Sequence, residues 1–195
     1  MIWNKHAKPL SWSAISSFKY DPEQWYKKYV LGEKQKTSPQ MLFGNTVGES
    51  FATKKPMVKD IVRYKRMEYE LKVKFDDIEL IGYIDSYDPK KKLLREYKTS
   101  SSTKKWNQTS VNAHGQLTMY ALMLFIQDKV KPEDLTIYLD YIPVEETFEG
   151  GMIISNPQKI YTFPTKRTTR DILAFGAYIR QVVQEMEEYA ATHSE

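Results

Sequence analysis

Hydrophobic and polar positions change period several times along the 195-residue chain, and the changes divide it into elements. In "LSWSAISSFKY" apolar residues recur at helical spacing behind a serine suited to cap the first turn, which predicts a helix. "DPEQWYKKYVLG" restarts a helix with Asp21 as cap and Pro22 in the first turn, and Gly32 ends it. "MLFGNTVGESFATKK" reads as a short helix weakened by Gly44 and Gly48. The period then falls to two. "RMEYELKVKF" alternates as a strand, "DD" makes a tight turn, and "IELIGYIDSYD" forms a second strand. "PKKK" leads into a third strand, "KLLREYKT". Helical spacing returns in "SVNAHGQLTMYALMLFIQD", expected as one long amphipathic helix. "LTIYLDYIPV" is a fourth strand, "KIYTFPT" a fifth, and "TTRDILAFGAYIRQVVQEMEEYAA" a closing helix. This order predicts a mixed α/β (α+β) fold in one domain over residues 1–195.

Composition removes several classes. A hydrophobic content of 41% with 28% charged residues suits a globular chain with a sizeable core. Mean hydropathy is −0.59, and no apolar run approaches the roughly 20 residues that span a bilayer. The first residues lack the apolar core of a secretory signal. Membrane partners are therefore not expected, and the expected location is cytoplasmic, or the host cytoplasm if the source is viral. Cysteine is absent, so disulfides, thiolate zinc sites and thiolate-held iron–sulfur clusters are excluded.

The chain is mildly basic, with 29 Lys+Arg against 25 Asp+Glu. Basic residues gather at Lys54-Lys55, Lys90-Lys91-Lys92, Lys104-Lys105 and Lys166-Arg167 with Arg170, and Trp106 and Tyr161 lie near two of these clusters. Phosphate binding with stacked bases and an ordinary solvated surface both account for such runs.

The stretch "LLREYKTSSS" carries the candidate chemistry. Side chains alternate along a strand, so Glu96 and Lys98 share a face while Tyr97 points the other way. Asp85 ends the apolar part of the preceding strand, and a hairpin through "DPKKK" makes the two strands antiparallel neighbours. Their register is not fixed by the sequence. Two acids converging beside a lysine would make a hard-cation site with a charge-stabilising partner, whereas an isolated E-x-K is usually a surface ion pair.

Further motifs accompany the pair. "GYID", "REYKTS" and "GQLTMYA" follow one another in the order found in the RecB-like branch of the PD-(D/E)XK nuclease superfamily, which this chain resembles. "LSWSAISSFKYDPEQWYKKYV" is similar to that branch's N-terminal segment, and "FGNTVGESFA" to its first active-site helix. The resemblance implies a restriction-endonuclease-like core with a central mixed sheet of about four to five strands flanked by helices. It implies Asp85 and Glu96 as acids binding Mg²⁺ or Mn²⁺, with the Tyr97 carbonyl as a third oxygen ligand. Lys98 would position the attacking water or stabilise the pentavalent oxyanion. Gln116 and Tyr120, four apart on one helical face, match the family's Q-x-x-x-Y pair and would hold the substrate backbone or the lysine.

Two departures stand out. Relatives often carry a histidine where this chain has Gly48, and Glu49 beside it is the candidate replacement ligand, provided the helix rotates or bends. Asp21-Pro22 occupies the place of a Cys-Pro in cluster-bearing relatives, so that subtype is excluded. The resemblance implies a metal-dependent deoxyribonuclease, an exonuclease of phage or mobile-element type in DNA processing, recombination or repair. Its partners would be single- or double-stranded DNA ends and a helicase or annealing protein, since no G-x-x-x-x-G-K-[ST] loop is present. The alternative is a catalytically weak or inactive module on the same fold that binds DNA or a recombination partner.

Overall fold

A computed structural model describes residues 8–34, 39–51, 53, 56–100, 106–146, 152–154 and 159–193. The elements are α1 (Trp12–Tyr20), α2 (Pro22–Trp25, continued by a π-helical turn, Tyr26–Val30), α3 (Pro39–Phe51), β1 (Arg66–Phe75), β2 (Ile78–Asp88) and β3 (Leu93–Ser100). They continue with α4 (Gln108–Asn112), α5 (Gly115–Asp128), β4 (Thr136–Glu146), β5 (Met152–Ile154), β6 (Tyr161–Thr165) and α6 (Thr169–Thr192). The expected mixed α/β architecture is present, and its sheet has six strands rather than four or five. The order is β1-β2-β3-β4-β5, with β6 also paired to β4. β3 and β4 run parallel, linked by the α4–α5 crossover, and the other pairings are antiparallel. β5 escaped the sequence reading because three residues are too few to show a period.

Local signals account for most element ends. Ser11 accepts a hydrogen bond from the Ala14 amide at the start of α1, and Asp21 accepts one from Gln24 at the start of α2. Asp21 thus has a capping role. Gly32 follows the π turn with φ of 74°, a left-handed conformation that glycine adopts without strain. α6 begins with a capping box of Thr168 and Asp171.

The single long helix expected over "SVNAHGQLTMYALMLFIQD" is two helices, broken at Ala113-His114. Tertiary contacts make the break. The buried Arg167 guanidinium donates to the carbonyl of Val111, which an unbroken helix would pair with the Gly115 amide, and to that of His114, which also accepts the Thr118 amide at the start of α5. The Trp12 indole lies directly over Gly115, where an added Cβ would stand 2.1 Å from the ring.

One core joins α1, α2, the β1–β2 hairpin, α5, β4 and α6, and a smaller cluster of Val47, Phe51, Val58, Ile61 and Ile142 lies under α3. β3 therefore has helices on both sides. Glu96 and Lys98 share one of its faces, and Lys98 meets Gln116 of α5 there. On the other face Tyr97 packs edge-on against Phe51 of α3, with ring centroids 4.9 Å apart. That same side holds a buried ion pair, Arg95 Nη1 to Asp140 Oδ2 at 2.5 Å. Thr162 of β6 donates to the other Asp140 oxygen at 2.6 Å, and the Tyr138 ring lies 4.5 Å from the guanidinium. The pair and its partners tie together β3, β4 and β6.

Removing one partner of a buried pair leaves the other charge unpaired, which costs about 3–5 kcal/mol. Asp140→Ala should lose stability in that range in urea denaturation, and the double variant Arg95→Met/Asp140→Leu should recover most of it. Equal losses in the single and double variants would show that the two residues do not act as a pair.

Candidate active site

The site forms where two neighbouring strands part. The β2–β3 ladder runs through Asp88↔Leu93, Tyr87↔Leu94 and Ser86↔Arg95 and then stops. One step further Asp85 faces Glu96, the opposition that the sequence left open. Parted strands expose backbone donors and acceptors that need partners. Site side chains supply them. Asp85 Oδ2 accepts the Tyr97 amide at 2.6 Å, and the Tyr120 hydroxyl donates to the Tyr83 carbonyl at 2.5 Å.

From Tyr120 the hydrogen bonds continue inward. Gln116 Nε2 donates to the Tyr120 hydroxyl at 2.7 Å, and Lys98 Nζ donates to Gln116 Oε1 at 2.9 Å. Lys98 also pairs with Glu96 Oε1 at 2.6 Å. Glu96, Lys98, Gln116 and Tyr120 thus form one connected group spanning β3 and α5, and Asp85 of β2 is tied to it through the Tyr97 amide. Gly82 makes the Tyr120 contact possible, because a Cβ there would stand 2.9 Å from the tyrosine ring.

The electrostatics are those of crowded acids. Glu96 is 2% exposed, and its Oε2 has no hydrogen-bond partner among the described residues. The Asp85 carboxyl is pushed well above the usual carboxylate range, first by burial and then by Glu96, against the pull of the Tyr97 amide and Lys98. Burial lowers the Lys98 ammonium, but Glu96 and Asp85 outweigh it and leave Lys98 above its ordinary value. Burial raises the Tyr120 hydroxyl well above its ordinary value, so it stays protonated and can donate.

A third acid, Glu68, went unnoticed in the sequence. It lies on β1 between the pairs Met67↔Ser86 and Tyr69↔Ile84, so it faces Asp85. Its φ of 48° is a left-handed conformation in mid-strand, which costs a non-glycine residue roughly 1–3 kcal/mol and re-aims the side chain. Burial and then Glu96 raise its carboxyl above the usual value. The only sequence signal was a glutamate in an alternating strand, where exposed acids are common.

Gly48 and Glu49 divide differently from the expectation. Gly48 lines a small cavity with Gly44, Phe51, Glu68, Asp85 and Tyr97, and open space lies where its Cβ would be. Glu49 is exposed and is not among the residues lining that cavity. α3 therefore turns Gly48 rather than Glu49 toward that cavity.

A buried acid whose Oε2 has no partner among the described residues, facing a half-buried one, fits a hard divalent cation and fits poorly without one. Among the described residues no three acids or histidines close into a complete ligand set, so main-chain oxygen and water would complete the coordination.

The basic clusters fare unevenly. Lys54-Lys55 and Lys104-Lys105 lie outside the described residues. Lys92 pairs with Asp134 at 2.7 Å. Arg167 is buried, so it does not belong to a solvated surface. Its guanidinium also donates to Thr118, Thr165 and the Lys166 carbonyl. Trp106 packs on His114 with centroids 4.9 Å apart, and Tyr161 stacks on Tyr141 at 6.2 Å.

Comparison with known proteins gives the family. The PD-(D/E)XK nuclease superfamily matches residues 49–195. No curated protein matches. Among solved structures, a Eubacterium rectale protein named "Putative exonuclease" superposes with a TM-score of 0.60 at 11% identity, over 98% of this chain and 84% of its own. The protein SSO0001 gives 0.52 at 13%, over 90% and 75%. A phage-related exonuclease from Haemophilus somnus 129PT gives 0.50 at 14%, over 91% and 79%. At such identities the likeness is one of fold.

His114 yields a prediction independent of catalysis. Burial, then Lys98 and Arg167, hold its imidazole down to about 4. The unfolded chain, with an ordinary histidine, binds the proton more tightly, so stability falls as pH drops from about 6.5 to about 4, by at most about 1.4 kcal/mol per pH unit. Denaturation of His114→Gln should show a flatter pH profile than the parent in that window. Parallel profiles would mean that His114 titrates normally. By its sequence match, its sheet topology and the order of its motifs, the chain belongs to the PD-(D/E)XK nuclease superfamily.

Proposed function

We propose that the chain is a divalent-metal-dependent deoxyribonuclease that hydrolyses phosphodiester bonds, acting as an exonuclease on DNA ends. The observation that carries the reading is the unbroken connection from Glu96 through Lys98 and Gln116 to Tyr120, with Asp85 facing Glu96 and held by the Tyr97 amide. Asp85, Glu96 and the Tyr97 carbonyl would hold Mg²⁺ or Mn²⁺, both of which accept carboxylate, carbonyl and water oxygens. When bound, the cation would supply an activated water and withdraw charge from the phosphate.

The chain's own residues do the remaining work. Glu96 and Gln116 hold the Lys98 ammonium between them, which restricts where its charge can sit. From there Lys98 stabilises the oxyanion that develops on the phosphorus, as a compact point charge. Gln116 is oriented by the Tyr120 hydroxyl, and that hydroxyl by the backbone of β2. Glu68 faces Asp85 from β1 and is better placed than Glu49 to hold a water of the metal's coordination shell.

A helicase or annealing protein remains the proposed partner class, since the chain has no phosphate-binding loop of its own for ATP. The second reading, a nuclease fold retained for binding alone, draws on one observation. Gly48 offers open space and no ligand.

Incubating end-labelled linear, nicked and circular DNA with Mg²⁺ or Mn²⁺ tests the reading. Linear DNA should be shortened from its ends, and chelation should stop the reaction. Asp85→Asn, Glu96→Gln and Lys98→Ala should each lower the rate by orders of magnitude while DNA affinity persists. Wild-type rates in Lys98→Ala would sink the assignment. In metal titrations Glu68→Gln should need more cation than the parent, and Glu49→Gln should titrate like the parent. The reverse pattern would return the ligand role to Glu49.

A further inference from the structure

A cavity opens beside the catalytic group, and its chemistry differs from the group's own. It encloses about 440 Å³ and is lined by Trp12, Ser13, Asn45, Tyr83, Gln116 and Tyr120. Its size lies within the roughly 300–1,000 Å³ of small-molecule sites. Gln116 and Tyr120 belong both to this cavity and to the chain of hydrogen bonds ending at Lys98, so an occupant is held next to the proposed scissile phosphate.

Two rings bound the space, and both are held in place. Tyr83 is 46% exposed, yet its hydroxyl donates to Glu70 at 3.1 Å and its carbonyl accepts from Tyr120. Trp12 is half-buried, seated on Gly115, with the Phe175 ring 6.1 Å away and the His114 ring 6.0 Å away. Fixed rings lose little conformational entropy when a flat ligand stacks on them.

The polar groups select against charge. Ser13 and Asn45 offer neutral donors and acceptors. No lysine or arginine is among the described residues lining the cavity, and Glu68 contributes the one ionisable carboxyl. A phosphate would be repelled here. An uncharged heteroaromatic ring with hydrogen-bonding edges would be accepted.

We infer that this cavity holds the base of a nucleotide adjoining the scissile phosphate, stacked against Trp12 and Tyr83 with Ser13 and Asn45 at its edge. The inference rests on the nuclease reading above for what lies next door. A base within a duplex has both faces covered by its neighbours, so only an unstacked nucleotide can enter. The substrate is therefore a single strand or a frayed end, taken with little regard to sequence, because every base has a face to stack.

The test measures binding apart from cleavage. A labelled oligothymidylate and an oligomer of equal length made of abasic units are titrated by fluorescence anisotropy, in EDTA and with Ca²⁺. The abasic oligomer should bind about 5- to 100-fold more weakly, the range for stacking of one base. Tyr83→Ala and Trp12→Ala should weaken oligothymidylate binding to a similar degree and leave the abasic affinity unchanged, and Tyr83→Phe should behave as the parent. Trp12→Ala also removes packing on Gly115, so Tyr83→Ala decides if that variant unfolds. Equal parental affinity for the two oligomers overturns the inference. So does an equal loss for both in Tyr83→Ala, or no measurable binding of either. The two readings fail separately. Base-dependent binding without cleavage under any cation leaves the base site standing and removes the nuclease reading. Cleavage with base-indifferent binding does the opposite.

Discussion

The parting of β2 from β3 beyond Ser86 and Arg95 is the constraint on which the site depends. A sheet that stayed zipped would spend these backbone groups on one another and leave no gap for chemistry. Once the strands separate, the backbone still demands partners, and burial makes the demand costly to ignore. Asp85 meets it at Tyr97, and Tyr120 meets it at Tyr83. Two proposed catalytic side chains thus hold the fold open at the place where they work. Leu10 supports the same opening from outside, accepting from the Ile81 amide and donating to the Glu79 carbonyl along the part of β2 that β3 has left.

The energetic tension of the site follows from that geometry. Glu68, Asp85 and Glu96 converge from three strands onto one small volume, and among the described residues Lys98 is the counter-charge to Asp85 and Glu96. Such an arrangement is unfavourable by itself, since the crowded carboxylates repel and desolvation adds to the cost at Asp85 and Glu68. The opposite side of β3 is built differently. Arg95 and Asp140 neutralise one another there, with Thr162 taking the spare oxygen. The same strand therefore carries a satisfied ion pair at Arg95 and an unsatisfied acid at Glu96. This contrast, more than the presence of charge, separates the structural network from the proposed reactive one.

Glycine works here by omission. Gly82 and Gly115 admit rings that any side chain would push away, and those rings set the positions of Tyr120 and of the start of α5. Gly48 leaves room and places nothing in it. The first two are positions where substitution would disturb the site. The third leaves open space on the wall of the small cavity beside Asp85 and Glu68.

Much of this was legible in the sequence, because it depends on near neighbours. Period-two and helical spacing set most of the strands and helices, and Ser11, Asp21, Gly32 and Thr168 mark their ends through hydrogen bonds made within a few residues. E-x-K puts Glu96 and Lys98 on one face through strand geometry alone, and a spacing of four puts Gln116 beside Tyr120. Other features were decided only when distant segments met. The facing of Asp85 and Glu96 needed the hairpin register. The break between α4 and α5 needed Arg167, more than fifty residues further on, to take the Val111 carbonyl that the helical pattern reserved for itself. Glu68 needed a left-handed residue inside a strand, which alternation hides, and α3 turns Gly48 to the small cavity while Glu49 is exposed. Local hydrogen bonding and periodicity act over a few residues and are written in order along the chain. Which carboxylates come to share one volume is set by packing across the sheet, and no stretch of sequence contains that by itself.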